Sequence, residues 1–379
     1  MAAKVTAGIR WERLVRPSLL GLEPYRPGAS ISELKALHQL EEVVKLNWNE
    51  DLFGPFPGAR EAVEAELGNA WMYPEQAYSD FRQAVADWLG TSPACIVPGH
   101  GVQSLIMTVA AAFLEPGSAV VVPQPTYGLY GQVCAAHGAR IHRVPLSDHR
   151  LDLERLAGAA RRTQARLVWI CDPNNPTGSI VDAVEWREFV DELPERCVAV
   201  VDEAYAEYVT PERRVYRERD VEAGRPVIAL RSFSKIFGLA GLRIGYAVVD
   251  EALAPYLDVV QEPFNVNRAA LAAGRACLIR LDLIDQRRRA VAEARALLSR
   301  LLLEVGAEPL PSEANFLLAR VAVDDVALAE ALATRGLLVR AGSEFELPGW
   351  VRITVGPAPL MERLAAELGR LRSELDVLP

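Results

Sequence analysis

The sequence predicts an α/β protein. A large domain is built on a mainly parallel sheet between helices, and a smaller α+β domain follows it. Three observations carry this reading. "ARLVWICDP", "CVAVVDEAY" and "PVIALRSFS" are short, nearly all-apolar runs, as strands covered on both faces require. Helical patterns alternate with them, "LDLERLAGAARRT" before the first and "VDAVEWREFVDEL" before the second, and such alternation makes neighbouring strands parallel. The tail then mixes strands ("NFLLARV", "WVRITVG") with helices ("DDVALAEALATRG", "LMERLAAELGRLRSEL"). At 379 residues the chain exceeds one ordinary core.

Taken in order, residues 1–45 read as an arm and a first helix, "SISELKALHQLEEVVK", joined to the small domain. "NWNEDLFGPFPGA" is rich in turn residues and reads as irregular. "YSDFRQAVADWLG" and "GVQSLIMTVAAAFL" have helical spacing, "SAVVVPQP" reads as a strand, "YGLYGQVCAAHG" as a helix and "RIHRVPL" as a strand. The long stretch "NRAALAAGRACLIRLDLIDQRRRAVAEARALLSRLLLEVG" reads as two helices or one long bent one. The expected units are 1–45, a large domain over 46–275 and a small domain over 276–379.

Composition narrows the function. The net charge is −9, which argues against nucleic acid and anionic membranes as partners. No apolar run approaches the ~18 residues of a membrane span, and the N-terminus lacks the apolar core of a secretory leader. The five cysteines form no C-x-x-C pair and the five histidines no H-E-x-x-H cluster. Buried reduced thiols, a cytoplasmic setting and no metal are the expectation.

In an open parallel sheet, ligands gather beyond the carboxyl ends of the strands. Four polar groups fall at such places: "DPNNPTG" (172–178), "DEAY" (202–205), "SFSK" (232–235) and "GHGVQS" (99–104), which opens a helix. Each alone is a common turn or cap. A lysine ending a buried strand is less common, because desolvating an ammonium is costly. Together they make one chemistry. Lys235 offers an amine that forms a Schiff base with a carbonyl cofactor. Ser232, Ser234 and Arg243 offer hydroxyls and a forked cation for a phosphate, and the first amides of the "GVQSLI" helix offer another anion site. Asp202 suits a protonated ring nitrogen, and Tyr205 and Asn175 suit a phenolate oxygen. These are the groups of pyridoxal 5′-phosphate.

The ordered set "PNNPTG", "DEAY", "SFSK" and Arg243 resembles the fold-type-I, class I/II pyridoxal-phosphate aminotransferases over nearly the whole chain. "EPYRPG", "MYPE", "PTYGLY", "PFNVN" and "VRITVG" are most similar to the histidinol-phosphate aminotransferase branch. The resemblance implies a seven-stranded, mainly parallel sheet and a homodimer with shared sites. It implies that Lys235 carries the cofactor and moves the proton between Cα and C4′. Asp202 then pairs with the ring nitrogen, Tyr205 and Asn175 contact the ring oxygen, and Tyr127 stacks on the ring. Ser232, Ser234, Arg243 and the amides of Val102 and Gln103 hold the phosphate, with Tyr73 reaching it from the other subunit. Arg352 binds a substrate carboxylate or phosphate, and Tyr25 and Arg340 help hold the substrate phosphate. An amino donor and a 2-oxo acid are the implied partners. The loop "GHGVQS" departs from the branch's usual G-N-G-S-D-E, with Val102, Gln103 and Ser104 in place of small and acidic residues.

Other readings exist. "SFSK" also fits S-x-x-K, an acyl-transfer motif, but the S-D-N and K-T-G elements that accompany it are absent from the sequence. A transcription regulator with this domain needs a DNA-binding module, and the segment before "LNWNED" has no basic helix-turn-helix. Within the superfamily, aromatic or specialised-metabolism aminotransferases and threonine-phosphate decarboxylases share the pattern.

Overall fold

The computed structural model describes residues 9–24 and 30–375. Seven strands form the large sheet: β1 Ile96–Gly99, β2 Ala119–Gln124, β3 Arg140–Pro145, β4 Leu167–Cys171, β5 Val198–Asp202, β6 Val227–Ser232 and β7 Gly245–Val248. Their order across the sheet is β1-β7-β6-β5-β4-β2-β3. Only β7 runs against its neighbours, pairing Val248 with Ile96 on one side and Ala229 on the other. The near-continuous apolar runs are the central strands, and β4 is buried along its length, because helices cover both faces. Trp169 and Cys171 pack under the Gly101–Phe113 and Leu129–Ala136 helices. Val168 and Ile170 face the Leu153–Thr163 and Ala183–Asp191 helices.

Four features differ from the sequence reading. The first helix covers only Ile31–His38. Ser30 opens it with a capping box, accepting from the Glu33 amide at 3.2 Å while the Glu33 carboxylate accepts from the Ser30 amide at 2.7 Å. Gln39 turns left-handed, and Val44–Lys45 is not helix but strand, paired in parallel with Leu337–Leu338. A distant partner overrides local helical spacing there. An unforeseen helix, Ala59–Leu67, follows the turn-rich stretch. β1 and β7 were not foreseen either, because each is only four residues long, and IVPG and GYAV show no clear period. Arg268–Leu278 and Asp282–Glu304 resolve the long stretch as two helices.

The second sheet is antiparallel, in the order Arg340–Ala341, Trp350–Thr354, Phe316–Arg320, Glu308–Pro309. One apolar cluster runs from Phe81, Phe233 and Phe237 through Leu298 to Phe316 and Ile353. The small sheet therefore rests on the same core as the base of the large one. Among the described residues no helix is long and apolar enough to cross a membrane.

Candidate active site

The carboxyl ends of β4, β5 and β6 lie side by side, with the loops Asp172–Gly178, Asp202–Tyr205 and Ser232–Lys235 leaving them. Alternation along β5 aims Asp202 at the face shared by Trp169, Cys171 and Tyr130. There its carboxylate accepts from the Tyr130 hydroxyl at 2.7 Å and from the Ala204 amide at 3.0 Å. Burial pushes its pKa up to about 6, against those two hydrogen bonds and the charge of Lys235. It is thus a buried carboxylate with an unusually high demand for a cationic partner.

Lys235 points into the same space. Its amine donates to the carbonyls of Asn49 (2.8 Å) and Trp48 (3.1 Å) and lies 5.4 Å from the centre of the Tyr205 ring. Asn49 is left-handed, a conformation asparagine tolerates, and this turns its carbonyl toward the amine. Desolvation, then the positive charge of Arg352, lowers the Lys235 pKa to about 8, although Glu50 and Asp202 pull the other way. A sizeable share of the amine is therefore neutral, hence nucleophilic, in mildly alkaline solution.

Tyr205 is buried, with its hydroxyl accepting from Asn49 Nδ2 at 3.1 Å, and desolvation raises its pKa. Asn175 is buried too, and its Oδ1 accepts from Arg352 Nη1 at 2.5 Å. Arg352 comes from the middle of the small sheet and also donates to the Asn47 carbonyl. That second sheet thus delivers a buried guanidinium to the β4 loop. Arg340 is its cross-strand partner. It is ion-paired to Glu344 at 2.7 Å and lies over the Phe345 ring.

A second group of polar atoms surrounds the start of the Gly101–Phe113 helix, whose first amides include those of Val102 and Gln103. Ser232 Oγ accepts from the Ser234 amide at 3.0 Å, and Ser234 Oγ accepts from Arg243 Nη1 at 3.4 Å. Arg243 Nη2 donates to Gln103 Oε1 at 3.2 Å, and Gln103 Nε2 donates to the Tyr127 hydroxyl at 2.8 Å. Gly101, at φ +72°, makes this approach possible: a Cβ there would stand 2.6 Å from Arg243 Nη2.

The structure thus gathers Asp202, Tyr205, Asn175, Lys235 and Arg352 at one place, and Ser232, Ser234, Arg243, Gln103 and Tyr127 beside them. Tyr73 is not joined to either group. It is largely exposed and stacks on Phe264 with ring centres 4.8 Å apart. Tyr25 lies outside the described residues. Tyr130 and Asn49 were missed in the sequence. Tyr130 carried a signal, standing three residues after Tyr127 in a stretch that reads as helical, although the helix itself begins at Leu129. Asn49 carried none, because its partners are more than 150 residues away.

The family model described as aminotransferase class I and II matches residues 41–368. The chain belongs to that family. The histidinol-phosphate aminotransferase of Geobacillus thermodenitrificans is 36% identical over 360 residues, covering 95% of this chain and 98% of the relative. That of Brevibacillus brevis is 35% identical over 350 residues, covering 92% and 96%. The crystal structure of histidinol-phosphate aminotransferase from Sinorhizobium meliloti, in complex with pyridoxal 5′-phosphate, matches with a TM-score of 0.86 at 31% identity, covering 95% of this chain and 98% of that one. L-threonine-O-3-phosphate decarboxylase from Porphyromonas gingivalis matches with a TM-score of 0.77 at 23% identity, which shows a common fold.

This aminotransferase is a pyridoxal-phosphate-dependent transaminase with the α/β fold of its family. Its own residues fit the cofactor. A buried carboxylate, an amine of lowered pKa and a guanidinium held against a side-chain-free glycine meet the needs of a ring cation, an aldehyde and a phosphate.

Proposed function

We propose that this transaminase acts on histidinol phosphate with a 2-oxo acid as the other substrate, as a cytoplasmic homodimer with shared active sites. The carrying observation is the guanidinium of Arg352, buried beside Lys235, with Arg340 facing it across the ladder. Two forked cations at the substrate side suit a doubly charged phosphate monoester. The relatives named above carry the same activity in their names. In this reading the 46–275 domain holds the cofactor and the 276–379 domain supplies both arginines. The pairing of Val44–Lys45 with Leu337–Leu338 supports an arm that belongs with the latter.

When bound, pyridoxal phosphate supplies an aldehyde that condenses with amines and a protonated ring that takes up the electron pair of a broken Cα–H bond. The residues do the rest. Ser232, Ser234, Arg243 and the amides of Val102 and Gln103 hold the phosphate, and Tyr73 of a second copy completes that grip. Tyr127 lies against the ring. Asp202, kept anionic by the ring cation, holds the proton on the ring nitrogen. Tyr205 and Asn175 orient the ring oxygen. Lys235, once the donor amine has displaced it, takes the proton from Cα and returns it at C4′. Arg352 and Arg340, with Tyr25, fix the substrate so that the Cα–H bond is the one broken.

An absorption spectrum of the holoenzyme tests the reading. Addition of L-histidinol phosphate is expected to bleach the visible cofactor band, and L-phenylalanine is not. Bleaching by phenylalanine alone would replace the proposed substrate with an aromatic amino acid.

A further inference from the structure

Behind the site, on the face of the sheet opposite Asp202, lies a layer of buried charge. Arg217 is 1% exposed. Its Nη2 is ion-paired to Asp172 at 2.6 Å and its Nη1 to Glu203 at 3.3 Å. Glu203 also holds Arg231 Nε at 2.9 Å, and Arg231 Nη2 holds Glu218 at 2.6 Å. Glu207 and Arg214 continue the layer at 3.4 Å. The placement in the chain matters. Asp172 opens the loop that carries Asn175, Glu203 follows Asp202, and Arg231 precedes Ser232. The Asp172 carboxylate also accepts from the Val181 amide at 3.1 Å, closing the Asn175 loop on itself. The Arg217 guanidinium lies over the Trp186 ring at 4.6 Å and donates to the Val215 carbonyl at 3.1 Å, so its plane is held from two further sides.

Such a layer is a poor way to gain stability. Desolvating these charges offsets most of their attraction, and apolar side chains of the same volume serve a core as well or better. What the ion pairs supply here is placement, since one guanidinium held between two carboxylates sets how far apart they stand. We propose that Arg217 is a positioning residue for transamination. Through Asp172 and Glu203, and onward through Arg231, it sets the relative placement of Asn175, Asp202 and Lys235. The inference rests on the reading that these three side chains surround the pyridoxal ring.

The test compares holoenzyme of Asp172→Asn, Arg217→Lys and Arg217→Met with wild type. Five quantities are read: unfolding temperature, affinity for pyridoxal phosphate, the pH midpoint of the visible cofactor band, and kcat and KM for L-histidinol phosphate. Displacing catalytic groups by a fraction of an ångström predicts kcat reduced about tenfold or more, with KM within about threefold. The midpoint rises by about half a pH unit or more, because a ring oxygen that loses its Asn175 donor keeps its proton longer. Cofactor affinity falls at least about fivefold, as misplaced partners cease to complement the ring. Arg217→Lys keeps the charge but not the fork and shows the same pattern as Asp172→Asn. Where Arg217→Met fails to fold, Asp172→Asn decides, since an amide replaces its carboxylate at equal size. Folded Asp172→Asn and Arg217→Lys with wild-type kcat, midpoint and cofactor affinity would overturn the proposal. A wild type that binds the cofactor yet ignores L-histidinol phosphate removes the proposed substrate, and the midpoint and affinity still judge Arg217.

Discussion

The two ends of the site are built differently. At the ring end, Asp202 and Tyr205 are buried and Lys235 is half-buried; all three follow adjacent parallel strands and have strongly displaced pKa values. At the anchoring end, Arg352 and Arg340 stand opposite each other on two antiparallel strands. Arg352 is buried and donates to the Asn175 side-chain oxygen and the Asn47 carbonyl. Arg340 is ion-paired to half-exposed Glu344, so part of its charge is already answered. Desolvation prepares reactive groups at the ring end. At the proposed anchoring end the two arginines differ in surroundings: Arg352 reaches the oxygens of Asn175 and Asn47, while Arg340 reaches a carboxylate.

The sharpest way to break this contrast is Lys235→Ala. Loss of the amine that bears the cofactor and moves the proton lowers turnover by about 10⁴-fold or more, with the fold retained. Steady-state rates and the circular dichroism spectrum check this; substantial remaining transamination removes the role. The same residue gives a pH signature. Since its folded pKa lies near 8, below the ordinary 10.5, the reactive neutral amine forms as pH rises through that value. Reconstitution of apoenzyme with pyridoxal phosphate accelerates accordingly, and a rate that is flat between pH 7 and about 9 counts against it.

Asp202→Asn comes next. Activity falls by about 10²-fold or more, because the ring nitrogen loses the anion that keeps it protonated. Stability of the apoprotein moves the opposite way. The Asp202 pKa is about 6 in the folded chain against an ordinary 3.8. Between those values the folded state holds a proton that the unfolded state has released, so stability falls as pH rises through the window and stays lowered above it. The difference amounts to roughly 2 to 3 kcal/mol at neutral pH. Urea titrations of the two apoproteins are expected to show the asparagine variant ahead at pH 8 and level at pH 4. An equal lead at both would mean that the carboxylate charge is not its source.

Smaller effects distinguish the two arginines. Arg352→Lys keeps a cation but loses the fork, raising KM for a phosphate-bearing donor by about 10- to 100-fold. Glu344→Gln releases Arg340. An exposed ion pair is worth at most about 1 kcal/mol, so KM falls by no more than about fivefold. A rise in KM would instead make Glu344 a substrate contact.

Much of the ring end was legible in the sequence. Parallel strands buried on both faces must be apolar almost throughout, so the first polar residues after "VWIC", "VAVV" and "VIAL" mark the sheet's carboxyl edge. That Asn175, Asp202, Tyr205 and Lys235 come together could be read from that edge, and the roles proposed for them come from the family resemblance. Most helices beside the large sheet were legible for the same reason, through their apolar spacing, but Ala59–Leu67 was not. Tyr73 was named in the sequence, yet within one chain its ring stacks on Phe264, and its expected role rests on the proposed dimer.

The amino-acid sequence by itself determined the fold class, the central strands and where polar residues interrupt them, because periodicity and a local change from apolar to polar are properties of neighbouring residues. The tertiary structure alone decided the partners. It put Tyr130 on Asp202, the Asn49 carbonyl on Lys235, Arg352 on Asn175 and Arg217 between Asp172 and Glu203. Those pairings span from 14 to 186 residues of chain. No local pattern encodes them, since each depends on where two separate segments come to rest on a shared core, and the burial that shifts the pKa values of Asp202 and Lys235 exists only once that core has closed.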